Sequence, residues 1–412
     1  PAPGAGRSGR AVGGGRETVM TLRALASVNV AAIERNATRL RARLAPGTRL
    51  CAVVKADASG HGAVPVSRAA LAGGASSLAV STADEAAQLR AAGIAAPVLV
   101  MGAVSADELP VAIEADAELV AWSERFVRGL LDGAWPRPIA MHVKLDSGMG
   151  RLGTRDVDEA LSVAGLIASG GPRLVLAGAM THLATADGDL EFAGAQLAVF
   201  SAFVDALGAR ADGRRADDPQ GNGPGASGLV VHAANSAGTL RLADSHFDMV
   251  RCGIALYGCD PMNEDPDAAG LEPALELSSY VAAVKRAQPG DSVGYGRRFV
   301  AERPTWIGTL PIGYADGVRR GLTNNGEVLI DGRRFPIVGT VSMDNVTIDL
   351  GAGPSERPPV ETGSRAILIG RSGSERLTVE DMARRIGTIN HEVLCGISSR
   401  VPRRYHRDGV PT

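Results

Sequence analysis

The chain predicts an α/β fold, a (β/α)8 TIM-type barrel with a C-terminal mainly-β domain, on three observations. Short apolar runs alternate with amphipathic helical stretches eight times between about residues 49 and 253. Near residue 265 the helical stretches largely stop while β runs continue. The 412 residues also exceed what one hydrophobic core organises. The expected division is a disordered tail at 1–20, a cofactor-binding barrel at 21–264 and the β domain at 265–412.

Residues 1–20 are Gly- and Arg-rich and lack apolar periodicity, so they cannot offset the entropy of being ordered. A strand in TLRALASVNV then leads to a helix in which Ile33, Leu40 and Leu44 recur at helical spacing, ending near Pro46-Gly47. The barrel strands expected next are LCAVVKA, SSLAVST, PVLVMGA, ELVAWS, IAMHVKL, LVLAGAMTH, LVVHAAN and FDMVRCG. Helices are expected between them at 64–72, 83–92, 123–131, 157–167 and 193–207. A doubly wound open sheet shares this pattern, because closure is not written in local sequence. The polar, Gly-rich stretch 208–228 reads as a flexible surface insertion. In the second domain Asp331-Gly332 separates two β runs as a hairpin turn does, and a short helix is expected at 379–386.

Composition narrows the function. Hydrophobic residues are 45% and charged residues 21%, and 43 basic against 45 acidic residues leave a formal charge of -2. That balance provides no positive field for nucleic acid or anionic lipid and points to a small-molecule ligand. No apolar run is expected to span a membrane and no secretory h-region opens the chain, so a cytoplasmic protein is expected. Cys51, Cys252, Cys259 and Cys395 lack disulfide-framework and zinc-ligand spacing and read as reduced thiols.

Barrel enzymes carry their working residues at the C-terminal ends of strands. Lys55 ends CAVVKA, where partial desolvation suits an amine to Schiff-base chemistry; a solvated strand-end lysine is the plain alternative. Asn235-Ser236 follow the seventh strand and Gly253-Ile254 the eighth, the places where barrels often bind phosphate. Taken alone, Asn-Ser before a helix is an N-cap. Together with Lys55 the set suggests a phosphorylated aldehyde cofactor.

Several segments carry a family resemblance in register. VVKADASGHG, KLDSGMGRLG, THLATAD, HAANSAG, RCGIALYG, VGYG, IGYADG, VGTVSMDN and ISSRVPR, spread over about 22–405, resemble those of the alanine racemase family. The resemblance implies pyridoxal 5'-phosphate on Lys55, a small amino-acid substrate, a homodimer with shared sites, and D-alanine made for peptidoglycan. It implies two bases, Lys55 on one face of Cα and Tyr295 of the facing subunit on the other. It places His182 and Arg251 in a line from that tyrosine to the pyridine nitrogen, Arg151 on the cofactor's phenolic oxygen, and Lys144 at a position open to carbamylation by CO2. Asn235, Ser236, Gly253, Ile254 and His391 would surround the phosphate, while Met343 and Asp344 of the partner would meet the substrate carboxylate and Tyr314 the entrance. No metal is implied.

The chain departs from the family pattern at Ser59 and His391, where relatives place tyrosines whose hydroxyls reach the phosphate, and more mildly at Asn345. Each lost hydrogen bond to a buried charged group is worth roughly 1.5–3 kcal/mol. Alternative readings are a racemase of serine or another small amino acid, and, from other classes, a pyridoxal-phosphate decarboxylase or a cofactor-holding protein on the same barrel. The second domain with Tyr295 and Met343-Asp344 argues against the last.

Overall fold

A computed structural model describes residues 22–215, 228–352 and 357–412. All eight expected runs form parallel strands in one sheet: β2 (Arg49–Val53), β3 (Ser77–Val80), β4 (Val98–Val100), β5 (Glu118–Ala121), β6 (Ile139–Lys144), β7 (Leu174–Met180), β8 (Val230–His232) and β9 (Met249–Cys252). The sheet closes because β2 pairs with β9 while, on the other side, the Asp248 N–H donates to Val231 O at 3.0 Å and the Arg251 N–H to Ala234 O at 3.0 Å. Closure rules out the open doubly wound sheet. Alternate residues of each strand face opposite ways. Leu50, Ala52, Leu78, Val98, Val100 and Leu119 join the core under the helices; Cys51, Val53, Ala79, Leu99, Val120 and Met249 form a second cluster inside the barrel. The same alternation turns His142, Lys144, His232 and Arg251 inward, because Met141, Val143, Val231, Val250 and Cys252 belong to the outer core or its flank.

The helices begin where their caps say. Thr82 and Glu85 form a capping box for Ala83–Ala91, Ser123 caps Glu124–Asp132, and Asp156 caps Val157–Ser169. Helix Leu190–Arg215 runs past the expected end at 207, so the stretch 208–215 is helical rather than loop; 216–227 and the tail at 1–20 lie outside the described residues. Against the expectation that no run approaches a membrane span, Leu190–Gly208 has a mean hydropathy of 1.4 over a sufficient length. Its fully buried Phe200 and Phe203 explain that hydropathy as one face packed on the barrel.

The strand β1 (Ala24–Asn29), expected within the barrel region, lies in the other domain. It pairs antiparallel with β10 (Leu275–Tyr280) and parallel with Arg403–Arg407, at the centre of an eight-stranded sheet. Its buried Ala24, Ala26 and Val28 face that sheet's core. Asp331 and Gly332 turn the hairpin between Glu327–Ile330 and Arg333–Pro336 with φ of 48° and 73°, the pair of positive values that a type I′ turn needs. The late helix forms over Val379–Arg385. A following helix, Asn390–Cys395, packs against the turn after β2 and so carries His391 to the barrel mouth.

Candidate active site

Lys55 follows β2 and opens an unusual turn. Ala56, Asp57, Ala58 and Ser59 all have φ between 51° and 54°, a left-handed turn of four non-glycine residues. Each pays steric strain of roughly 1 kcal/mol or more. The turn persists because its ends are tied: the Ala56 N–H donates to Glu85 Oε1 at 2.6 Å, the Ala63 N–H to Asp57 Oδ1 at 2.7 Å, and Arg403 reaches Gly60 O at 3.0 Å. Lys55 is exposed, so the desolvation expected at a strand end is not supplied by the barrel alone. Ser59 lies near the Tyr257 hydroxyl, which donates to Val53 O at 2.6 Å.

On β9, the strand that pairs with β2, Arg251 is 2% exposed and strongly organised. It donates to His232 Nδ1 at 2.7 Å, Thr181 O at 2.9 Å, Ala233 O at 3.0 Å and His182 Nδ1 at 3.2 Å. Burial lowers its pKa to about 10, which still leaves a cation at neutral pH. Because Arg251 only donates, His182 accepts at Nδ1 and carries its proton on Nε2. Burial first, then the nearby Arg251, Arg151, Lys144 and Lys55 cations, holds His182 well below the usual imidazole range and therefore neutral. Gln196 fixes this loop by accepting from the Ala184 N–H at 2.8 Å and donating to His182 O at 3.2 Å.

Lys144 ends β6 at 4% exposure, and burial with the Arg151 and Arg251 cations lowers its amine to about 8. The loop from Asp146 to Arg151 folds around the Asp146 carboxylate, which accepts the N–H groups of Gly148 and Gly150 at 3.1 and 2.9 Å. His391 stands exposed at the rim, where desolvation by surrounding protein and the Lys55 ammonium hold it below its ordinary range. Its helix is anchored by the Asn390 side chain donating to Asp260 O at 2.7 Å.

The remaining barrel residues lie in the loops after β8 and β9. The Asn235 side chain caps helix Ser236–Arg241 by accepting from the Gly238 N–H at 2.9 Å, and the Ser236 hydroxyl accepts from the Gly253 N–H at 3.0 Å. The Ile254 N–H makes no hydrogen bond among the described residues. A Cβ at Gly253 would meet Val53 only at 3.5 Å, an ordinary contact, so packing within the chain does not require glycine there.

Tyr295, Tyr314, Met343 and Asp344 belong to the second domain. They form one patch of the second domain, tied by Thr340 Oγ1 donating to Tyr295 O at 2.7 Å, the Tyr314 N–H to Ser342 O at 2.9 Å and the Ala315 N–H to Met343 O at 3.0 Å. Arg400 pairs with Asp344 at 2.7 Å. Among the described residues no hydrogen bond or ion pair joins the four to Lys55, Lys144, Arg151, His182 or Arg251. Tyr295 is 75% exposed. Sequence reasoning missed His232, whose signal was a histidine at an inward position of an otherwise apolar strand.

These residues suit a pyridoxal 5'-phosphate group. The buried Arg251 Nε has no partner, the Ile254 N–H is likewise unpaired, and the Lys55 amine stands in the same mouth. A group with a ring nitrogen, a phosphate and an aldehyde would meet all three, so the residues fit it.

Family comparisons agree over nearly the whole chain. The alanine racemase N-terminal domain model matches residues 28–261 and the C-terminal domain model residues 274–405. An alanine racemase of Geobacillus kaustophilus is 41% identical over 92% of this chain and 94% of its own length, and alanine racemase 1 of Bacillus subtilis is 38% identical over 93% of each. The solved alanine racemase of Streptomyces coelicolor A3(2) superposes with a TM-score of 0.84 at 35% identity, covering 93% of this chain and 98% of that one. The chain belongs to the alanine racemase family.

Proposed function

We propose that the protein interconverts L- and D-alanine as a pyridoxal-phosphate enzyme, with active sites shared between two copies. The observation that carries this reading is Arg251, buried and held by four hydrogen bonds with only its Nε unpaired, on the strand next to the one that leads to Lys55. Arg251 would hold the ring nitrogen without giving it a proton; the Ser236 hydroxyl and the unpaired Ile254 N–H would hold the phosphate, with the Gly253 N–H leaving its Ser236 partner to join them, Asn235 shaping the loop and His391 at the rim. Arg151 would pair with the phenolic oxygen. Bound there, the cofactor supplies the electron-withdrawing ring that acidifies the amino acid's Cα–H.

The chain's own groups then move the proton. Lys55 serves one face of Cα, and Tyr295 of a second copy serves the other, with the neutral His182 offering its Nε2–H to stabilise the phenolate. Met343 and Asp344 of that copy would receive the substrate carboxylate, and Tyr314 would line the entrance. Unpaired cysteines throughout the described residues suit a reducing, cytoplasmic setting. The test is incubation of the cofactor-loaded protein with L-alanine in deuterated water, followed by chiral separation. D-alanine labelled at Cα is expected, with turnover of L-serine much lower. Release of CO2 would establish a decarboxylase, and an unlabelled, unchanged amino acid would reject the reading.

A further inference from the structure

Beneath Arg251 the barrel interior holds three polar side chains that the proton transfer does not use. His142 Nδ1 lies 2.8 Å from His232 Nε2, and His142 Nε2 lies 2.9 Å from Glu118 Oε2. With Arg251 on His232 Nδ1 at 2.7 Å, they form one continuous line from the cofactor side to Glu118, the first residue of β5 and so at the N-terminal rim. Both histidines are fully or almost fully buried, whereas the Glu118 side chain keeps 32% of its surface exposed.

The ends of this line dictate its middle. A guanidinium can only donate, so His232 accepts at Nδ1 and carries its proton on Nε2. That proton is donated to His142 Nδ1, which forces the His142 proton onto Nε2 and into the bond with the Glu118 carboxylate. A second proton on either imidazole would set two donors against each other. Both rings are therefore neutral, and the contact of His142 with Glu118 is a charge-assisted hydrogen bond rather than an ion pair. Burial holds His232 well below the usual imidazole range, in keeping with this assignment. Burial opposes ionisation of Glu118, but the hydrogen bond from His142 and the nearby Arg49 cation outweigh it and Asp116, and hold the carboxyl below its ordinary range.

We propose that Glu118 is a positioning residue for Arg251: through His142 and His232 its carboxylate selects the tautomer that accepts from the guanidinium, and this leaves Nε as the nitrogen turned to the cofactor. The proposal rests on the reading of Arg251 given above. Without an acceptor at Glu118, His142 is free to carry its proton on Nδ1. His232 must then accept at Nε2 and protonate Nδ1, which opposes Arg251. Outer hydrogen-bond partners of this kind commonly decide how a functional side chain is oriented.

The test is the imidazole 15N spectrum of the cofactor-loaded enzyme labelled at histidine, with His142→Gln and His232→Gln used for assignment. In the wild-type protein both rings should be protonated on Nε2 alone. Glu118→Gln, which keeps an acceptor oxygen, should preserve that pattern; Glu118→Leu should populate the second His232 tautomer and lower kcat about tenfold with KM within about twofold. A wild-type His232 protonated on Nδ1, or a wild-type tautomer pattern in Glu118→Leu, would overturn the proposal. If Glu118→Leu does not fold, the wild-type and Glu118→Gln spectra decide alone. Correct tautomers in a protein that racemises nothing would reject the racemase reading while leaving the relay intact.

Discussion

At the scale of single residues, Lys144 shows how a barrel interior changes what a side chain can do. Its amine is lowered from 10.5 to about 8, so at pH 7 about a tenth of it is neutral, against a negligible fraction of an ordinary lysine. A neutral amine is the form that captures CO2. The folded protein resists protonating Lys144 more than the unfolded chain does, so this residue costs stability below about pH 8, and the cost fades as pH rises from there towards 10.5. A carbamate would remove the cost and give Arg151 a negative partner. Bicarbonate should therefore raise the melting temperature of the wild-type protein at pH 7 but not of Lys144→Met, and 13C-bicarbonate should give a carbamate resonance that the variant lacks; no such resonance would leave Lys144 a plain amine. Ser59 and His391 carry a second prediction. Ser59 is half-buried on a short side chain and His391 is exposed, so neither supplies the hydroxyl that a tyrosine would bring there. Restoring tyrosine at both should slow cofactor loss on dialysis severalfold, as expected for one or two hydrogen bonds of roughly 1.5 kcal/mol each. An unchanged rate would mean that Ser236 and the Gly253-Ile254 amides already suffice.

At the scale of elements, the eight barrel strands were legible because a parallel strand covered on both faces is a short apolar run, and such runs announce themselves locally. The place of β1 was not, since its partners lie some 250 and 375 residues away and only the folded sheet brings them together. The left-handed turn was equally hidden: Ala-Asp-Ala-Ser contains no glycine, and the hydrogen bonds from Ala56 to Glu85 and from Ala63 to Asp57 that hold it are tertiary. Of the site, Lys55, Asn235, Ser236, Gly253 and Ile254 could be read from strand ends, but Arg251, His182, Lys144, Arg151 and Tyr295 needed the family resemblance. The turn makes its own prediction at Ala56, which is exposed and has φ of 53°. Ala56→Gly should stabilise the protein by about 0.5–1 kcal/mol or leave it unchanged, because glycine adopts that conformation without steric cost. Ala56→Val should destabilise by about 1–2 kcal/mol and misplace Lys55, since a β-branched residue at positive φ is strained. Chemical denaturation measures both, and equal stability of the two variants would show that the turn stores no strain.

At the scale of the whole molecule, the residues of the candidate site fall into two groups that no hydrogen bond or ion pair joins among the described residues. The barrel mouth holds Lys55 and the groups that would bind a cofactor, while Tyr295, Tyr314 and Met343 stand 75%, 43% and 52% exposed on the β domain. Large aromatic and thioether side chains left open together are what a second copy would cover. Two proton carriers on opposite faces of one planar substrate cannot substitute for each other, so the division has an isotopic consequence. In Tyr295→Phe, Lys55 should still exchange the α-proton of D-alanine with deuterated water, while exchange from L-alanine and net racemisation should fall by about 10²-fold or more, the usual worth of one positioned acid–base group. The subunit question separates from the chemical one by mixing. Tyr295→Phe and Lys55→Ala are each expected to be nearly inactive, yet a heterodimer of the two carries one site with both wild-type groups and one with neither. After subunit exchange, verified by mass difference between tagged copies, activity should approach a quarter of the wild-type value, because about half the dimers are mixed and each has one working site of two. An inactive mixture would place Tyr295 in the same chain's site or outside any site, and normal racemisation by Tyr295→Phe would remove it from the chemistry altogether.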